Sequence, residues 1–175
     1  MFFSNIRDDR KANNKAINLA GFRALTVYRF GRWRMSVQPR FLRAGLSLIY
    51  RMMEKHVRFK YGIELPYTVQ LGKGVVFEHQ HGIVIHGNAK IGNGCIIRQG
   101  VTIGNKSLDL PFDAPVIGNY VNIGAGAKIL GKVTIGHHAS IGANAVVTHD
   151  IPDYAVAVGI PAKVIKIKSE VRINE

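Results

Sequence analysis

Residues 116–147 read VIGNYVNIGAGAKILGKVTIGHHASIGANAVV, and an aliphatic residue recurs in them every six positions: Ile117, Ile123, Ile129, Ile135, Ile141 and Val147. Four residues after most of these stands a small or β-branched side chain, Val121, Ala127, Val133, Ala139 and Ala145. Gly often follows the aliphatic residue directly, as in Gly118, Gly124, Gly136 and Gly142. A helix repeats its face every 3.6 residues and a half-buried strand alternates at two, so neither explains a period of six. A triangular coil does. Three short strands and three corners make one coil of three hexads. The aliphatic residue fills the narrow interior, the residue four later must be slim to fit near a corner, and Gly takes turn conformations closed to other residues. Stacked coils align the aliphatic side chains in columns.

The same spacing runs toward the N-terminus. Ile91, Ile97 and Ile103 carry it, with Cys95, Val101, Gly92 and Gly104 in the accompanying places. Before them come Leu65, Leu71, Phe77 and Ile83, with Val69 and Val75. Two interruptions are read here: two extra residues between Ile83 and Ile91, and eight between Ile103 and Ile117 around KSLDLPFDAP. A solenoid expels extra residues as an external loop, and such loops carry function. Residues 63–151 are therefore expected to form a parallel β-helix with an inserted loop at 105–116. Residues 152–175, with Pro152 and Pro161, follow as an extended cap and tail.

Residues 1–62 read as a basic helical region. In FLRAGLSLIYRMMEKHVRF, Leu42, Leu46, Ile49, Met53 and Val57 recur at three or four residues, and arginines and a lysine decorate the other faces. Residues 14–30 carry a weaker version, with Pro39 separating the two helices. The fold class expected is mainly β, with a short N-terminal α-helical region.

A chain of 175 residues, 47% of them hydrophobic, has the size and composition of one domain with a core. Its longest apolar runs, near Ala44–Tyr50 and Ala155–Ala162, are too short to span a bilayer. The start MFFSNIRDDRK places charges where a signal peptide needs apolar residues, and the lone Cys95 excludes an internal disulfide framework. A cytoplasmic location is expected. The net charge of +13 is unevenly placed: residues 1–62 hold 14 Lys and Arg against 3 acids, residues 63–175 hold 10 against 8. A basic segment of this kind suits anionic lipid, nucleic acid or an acidic substrate.

Three stretches, GFRALTVYRFGRW (21–33), IGAGAKILG (123–131) and GIPAK (159–163), together resemble the serine acetyltransferase branch of the hexapeptide acyltransferases. That branch includes O-acetyltransferases of polysaccharide pathways, and the helical region here looks short beside full-length serine acetyltransferases. The resemblance implies a left-handed β-helix, a homotrimer with active sites in clefts between subunits, and acetyl-CoA as acyl donor with no metal. The family's catalytic motif corresponds to FEHQHGIVIHG: His79 falls on the catalytic His and Glu78 on the acid before it. Glu64, fifteen residues before His79 in YGIELPY, stands where a carboxylate, usually Asp, orients the imidazole.

The chemistry needs few groups. A thioester is already activated, so a base of near-neutral pKa suffices to take the acceptor's hydroxyl proton, and His fits that requirement. A carboxylate on the other ring nitrogen fixes the tautomer and stabilises the imidazolium. His81, His86, His137 and His138 lack the motif's support and are expected to be solvated corner residues. For the donor, the resemblance assigns Gly104 and Asn105 at the start of the inserted loop and Ala125 and Ala143 in successive IGA segments. It adds Gly159 and Pro161 at the adenine end, and Lys163 as the cation near the phosphates. Small residues at these places would also simply turn corners.

The acceptor is read from a departure. Serine acetyltransferases carry an Arg-His pair before the Pro that ends the inserted loop; this chain has Asp113 and Ala114 before Pro115. An acceptor carboxylate would lose a cation and face Asp113. The expectation is therefore a sugar hydroxyl, on a small-molecule or lipid-linked sugar, with serine as the alternative. Asp8 in IRDDR resembles a substrate-contacting Asp of the family, although its distance to Gly21 is two residues shorter. The basic helices would contact an anionic membrane peripherally at its inner face. Two rival classes remain open: a γ-type carbonic anhydrase using His81 and His86, and a nucleic-acid binder. The first lacks a suitably placed third His and the second any recognisable binding motif, so no nucleic-acid partner is expected.

Overall fold

The computed structural model describes residues 2–13 and 20–169. Three helices come first, α1 (Phe2–Ala12), α2 (Ala20–Arg34) and α3 (Arg40–Tyr61). Strands then follow in coils. The first coil holds β1 (Ile63–Glu64), β2 (Gln70–Leu71) and β3 (Val76–Glu78), and the second β4 (Ile83–Ile85), β5 (Lys90–Ile91) and β6 (Ile96–Arg98). The third holds β7 (Thr102–Gly104), β8 (Val116–Ile117) and β9 (Asn122–Ile123), and the fourth β10 (Lys128–Leu130), β11 (Thr134–Ile135) and β12 (Ser140–Ile141). The fifth runs through β13 (Val146–Val147), a bridge at Ile151, and β14 (Ala155–Val158). Each strand pairs in parallel with the one a coil later, which builds three sheets. β15 (Lys163–Ile167) turns back and pairs antiparallel with β14.

The expected columns are present. Ile91, Ile117 and Ile135 register in the second sheet, and Phe77, Ile97, Ile123 and Ile141 in the third. The slim positions Val69, Val75, Cys95, Val101, Val121, Ala127, Ala139 and Ala145 are wholly buried. Gly follows the aliphatic residue for a reason other than the turn conformation expected from sequence. A Cβ on Gly92 would lie 2.5 Å from the Gly118 carbonyl oxygen, and one on Gly124 would lie 2.5 Å from the Ala143 nitrogen. These glycines give clearance to the coil above.

The two-residue interruption sits elsewhere than the spacing suggested. Ile63 registers with Ile83 and Glu78 with Arg98, twenty residues on, whereas Val84 registers with Thr102, eighteen on. The extra pair therefore lies between Glu78 and Ile83. Counting hexads through Ile83 misplaced it because Ile83 and Ile85 both point inward, and Ile85 is the member of the Ile103, Ile129, Val147 column. The larger insertion emerges after Gly104, as expected.

The helices cover the first coil. α1 was not foreseen as a separate element, and part of the helix expected over 14–30 falls on residues 14–19, outside the described residues. α2 is held by Tyr28, whose hydroxyl donates to the Val69 carbonyl at 2.7 Å and accepts from the Leu71 N–H at 3.2 Å. The buried Asp9 and Arg29 pair at 2.8 Å, and Asp9 also accepts from the Gly74 N–H at 3.1 Å. α3 exists where its periodicity placed it, but its packed face differs. Tyr50, Val57 and Tyr61 are buried, while Leu42, Ile49 and Met53 are exposed. The buried Arg34 guanidinium, 4.4 Å from the Tyr50 and Tyr67 ring centres, fixes that face. α3 ends at Gly62, which takes the left-handed conformation (φ 60°) that closes helices. Among the described residues no helix is long and apolar enough to cross a membrane.

Candidate functional site

The extra residues make one corner unlike the others. Along the edge between the third and first sheets, Gly100 N–H donates to the His81 carbonyl, Gly126 N–H to Gln99 and Asn144 N–H to Ala125. His81, Gln99, Ala125 and Ala143 are thus equivalent positions in successive coils. With Glu78 in register with Arg98, the two surplus residues are His79 and Gln80. His79 (φ 61°) and His81 (φ 75°) both take the left-handed conformation uncommon for non-glycine residues, and His79 is exposed. The bulge thrusts the His79 ring out of the coil wall. Tyr120, His138, Asn144 and Tyr154 take the same conformation at other corners, so what sets this corner apart is its two surplus residues.

Glu78 is not a free carboxylate. It pairs with Arg98 at 2.9 Å, and Arg98 also donates to the Asn122 side chain at 2.5 Å. Sequence reading missed Arg98; the signal was its position one coil above Glu78, since Ile97 stands three hexads after Phe77 whichever side of Ile83 the extra pair is placed. Glu64 occupies the outward position of β1 beside Val84. Among the described residues no hydrogen bond or ion pair joins Glu64 to His79.

The remaining candidates divide between two edges of the first sheet. Ala125 and Ala143 share the His79 edge. At the top of that sheet, the Val146 N–H donates to the Gly159 carbonyl at 3.0 Å, and the Ala162 N–H to the Val146 carbonyl at 2.8 Å, so Gly159 and Pro161 close the coil. Lys163 opens β15 and is exposed. Gly104 and Asn105 lie on the opposite edge, where the Asn105 amide donates to the Ser107 carbonyl at 2.9 Å. A Cβ on Gly104 would meet nothing nearer than His86 at 4.0 Å, so this glycine leaves open space beside the strand rather than clearance for a coil. Asp113 sits on the same side in the inserted loop, which is tied back by the Asn88 amide donating to the Phe112 carbonyl at 3.2 Å. The width of the strands between the edges is about 10 Å. Asp8 joins neither edge: it lies 3.9 Å from Lys73, at the far end of β3 from His79.

His137 and His138 have structural partners. His137 Nδ1 accepts the Asn119 N–H at 3.0 Å and its own N–H donates to Asp153 at 2.6 Å, continuing a corner ladder through Asn93 and Asn119. His138 stacks between Tyr120 and Tyr154, each 5.0 Å away. His81 and His86 flank the two ends of β4, and among the described residues no three His, Cys, Asp or Glu groups cluster to hold a metal. An open groove of about 860 Å³ lies between α2 and the second sheet, remote from His79. Its polar lining is largely Arg29, Arg32, Gln70 and Lys90, and it contains none of the groups that acyl transfer needs.

The bacterial transferase hexapeptide family (six repeats) matches residues 114–149. A serine acetyltransferase of Synechococcus elongatus is 35% identical over 170 residues, which are 96% of this chain and 66% of that protein. The serine acetyltransferase of Escherichia coli K12 is 33% identical over 155 residues, 89% of this chain and 54% of the relative. The soybean serine acetyltransferase apoenzyme has a TM-score of 0.81 at 30% identity, covering 94% of this chain and 69% of that one. The chain spans between about half and two thirds of the length of the curated relatives it matches.

Proposed function

Because this chain belongs to the serine acetyltransferase family, we propose that it is an O-acetyltransferase moving an acetyl group from acetyl-CoA to an acceptor hydroxyl, with His79 as general base. The observation that carries the reading is the two-residue bulge that presents His79 on the coil edge shared with Ala125 and Ala143. The exposed ring takes the hydroxyl proton as the oxygen attacks the thioester carbon, and returns it to the departing CoA thiolate. No covalent intermediate on the protein is needed. Glu64 is the carboxylate proposed to orient the ring. The donor's extended arm would lie along the small residues Gly104, Ala125 and Ala143, its adenine end near Gly159 and Pro161. Lys163 would be the point charge for its phosphates.

The relatives' names favour L-serine as acceptor over the sugar hydroxyl expected from sequence. One observation favours the sugar: Asp113 and Ala114 stand in place of the Arg-His pair that serves the amino-acid carboxylate. Two half-sites on opposite edges of one sheet also support a homotrimer, in which the loop edge of one copy meets the His79 edge of the next.

The deciding experiment measures CoA release with L-serine, nucleotide sugars and lipid-linked sugars in parallel, using the parent and His79→Asn. The parent should turn over one acceptor class, and His79→Asn should lower kcat by about 10²–10⁴-fold with little change in KM. Undiminished transfer by His79→Asn would overturn the mechanism. Efficient turnover of serine alone would remove the sugar reading.

A further inference from the structure

We propose that the outward face of α3 is a docking surface for an anionic phospholipid bilayer. Opposite the buried Tyr50, Val57 and Tyr61, the helix carries an apolar stripe of Phe41, Leu48, Met52 and Phe59, spaced seven, four and seven residues apart. These side chains are 73%, 56%, 67% and 73% exposed, although α3 is firmly packed on its other side. At 3.6 residues per turn the four fall within about 40° of one another, so they form a ridge along most of a 22-residue helix about 33 Å long. Scattered exposed apolar residues are ordinary; a continuous ridge of large ones marks an interaction surface.

The charge beside the ridge selects the occupant. Arg40, Arg51, Lys55 and Arg58 line one flank, all exposed, and α3 holds six Lys and Arg against the single acid Glu54. Glu54 faces the packed side, 3.9 Å from Arg58. Lys55 and Arg58 lie over the Phe59 ring at 5.9 and 5.6 Å, so cation and apolar body share one surface. Large apolar residues between cations, with no outward acid, suit the boundary between anionic headgroups and acyl chains. A second copy of α3 on this ridge would bring like-charged flanks together. Docking also has a geometric consequence. The His81 N–H donates to the Tyr61 carbonyl at 2.8 Å, so the last turn of α3 is bonded to the corner that carries His79. A bilayer under α3 would lie beside that corner, within reach of an acceptor anchored in lipid. The docking itself does not depend on the acetyl-transfer reading.

The test is flotation of the full chain with vesicles of phosphatidylcholine, with and without roughly one quarter phosphatidylglycerol. The parent should float with the anionic vesicles, bind at least about tenfold less to neutral ones and be released by salt. A Phe41→Ser/Leu48→Ser/Met52→Ser/Phe59→Ser variant and an Arg51→Gln/Lys55→Gln/Arg58→Gln variant should each lose about tenfold or more in partitioning. Circular dichroism and thermal melting would establish that they remain folded, since all seven side chains point away from the core. The proposal is overturned if the parent ignores anionic vesicles, or if both folded variants bind as the parent does. It is equally overturned if the parent does not float but shows a larger mass in light scattering that the ridge variant loses; a second copy would then be the occupant. None of these readouts requires acetyl transfer, so an inactive chain that floats would overturn the function and leave the docking intact.

Discussion

At the scale of single residues, the pairing of Glu78 matters because it stands directly before the bulge at His79 and Gln80. The carboxylate immediately before the proposed base is neutralised by Arg98, itself held by Asn122. If serine is the acceptor, Arg98→Leu should uncover a negative charge facing its carboxylate. The expected outcome is a rise of about fivefold in the KM for serine with kcat little changed, the size of a partly exposed ion pair. Steady-state kinetics with a neutral sugar should show no such rise. Cys95 makes a second residue-level prediction. Its thiol is fully buried, lies 3.1 Å from the Gly118 carbonyl, and burial pushes its pKa up to about 11. Maleimide should leave it unlabelled in the native protein and label it once denatured. The sign for stability follows from linkage: the unfolded thiol ionises from about its ordinary value of 9.0, while the folded thiol stays protonated. Stability should therefore fall as pH rises from 9.0 toward about 11, and Cys95→Ala should lack that component in urea titrations.

At the scale of elements, the hexad strands were legible because each inward position tolerates few side chains, and the sequence repeats that constraint at every coil. What stayed hidden depends on partners distant in sequence. Ile83 and Ile85 are both inward, so period alone could not say which continues the column or where the surplus residues leave the wall. α1 has no apolar run to announce it. Its anchor is Asp9, which meets Arg29 twenty residues away and the Gly74 N–H sixty-five away. The face of α3 was misjudged because its packed side uses Tyr50, Tyr61 and the Arg34 guanidinium, with Val57 the one aliphatic residue of the expected face that is buried. The Asp9–Arg29 pair joins α1, α2 and the first coil, so its loss should be felt by all three. Asp9→Asn leaves the Arg29 charge buried without its counter-ion, facing only the neutral amide oxygen and the carbonyls of Leu71 at 3.1 Å and Gly72 at 2.5 Å. We expect a loss of about 3–5 kcal/mol in urea unfolding. An Asp9→Leu/Arg29→Met double variant should recover much of it, because removing both charges removes the desolvation penalty as well.

At the scale of the whole molecule, the sequence names candidate site residues but does not bring them to one place. His79, Ala125 and Ala143 lie along one edge of the first sheet, while Gly104, Asn105 and the loop bearing Asp113 lie along the other. A solenoid wall separates them, and motif spacing in one chain cannot show which edge of a neighbour completes which half. If a site forms between copies, two inactive variants that damage opposite edges should complement each other. His79→Asn removes the base on one edge. Gly104→Val fills open space on the other, where its Cβ meets nothing nearer than His86 at 4.0 Å, so it should fold while obstructing the donor. Each variant alone should be inactive. Refolded together in equal amounts, random mixing pairs an intact His79 edge with an intact Gly104 edge at about a quarter of the sites. Activity should recover to that fraction of the parent and should require co-refolding, since folded trimers mixed afterward exchange only as fast as they dissociate. A mixture that stays inactive after co-refolding, with both variants folded and of parental mass by light scattering, would place both edges of each site within a single chain.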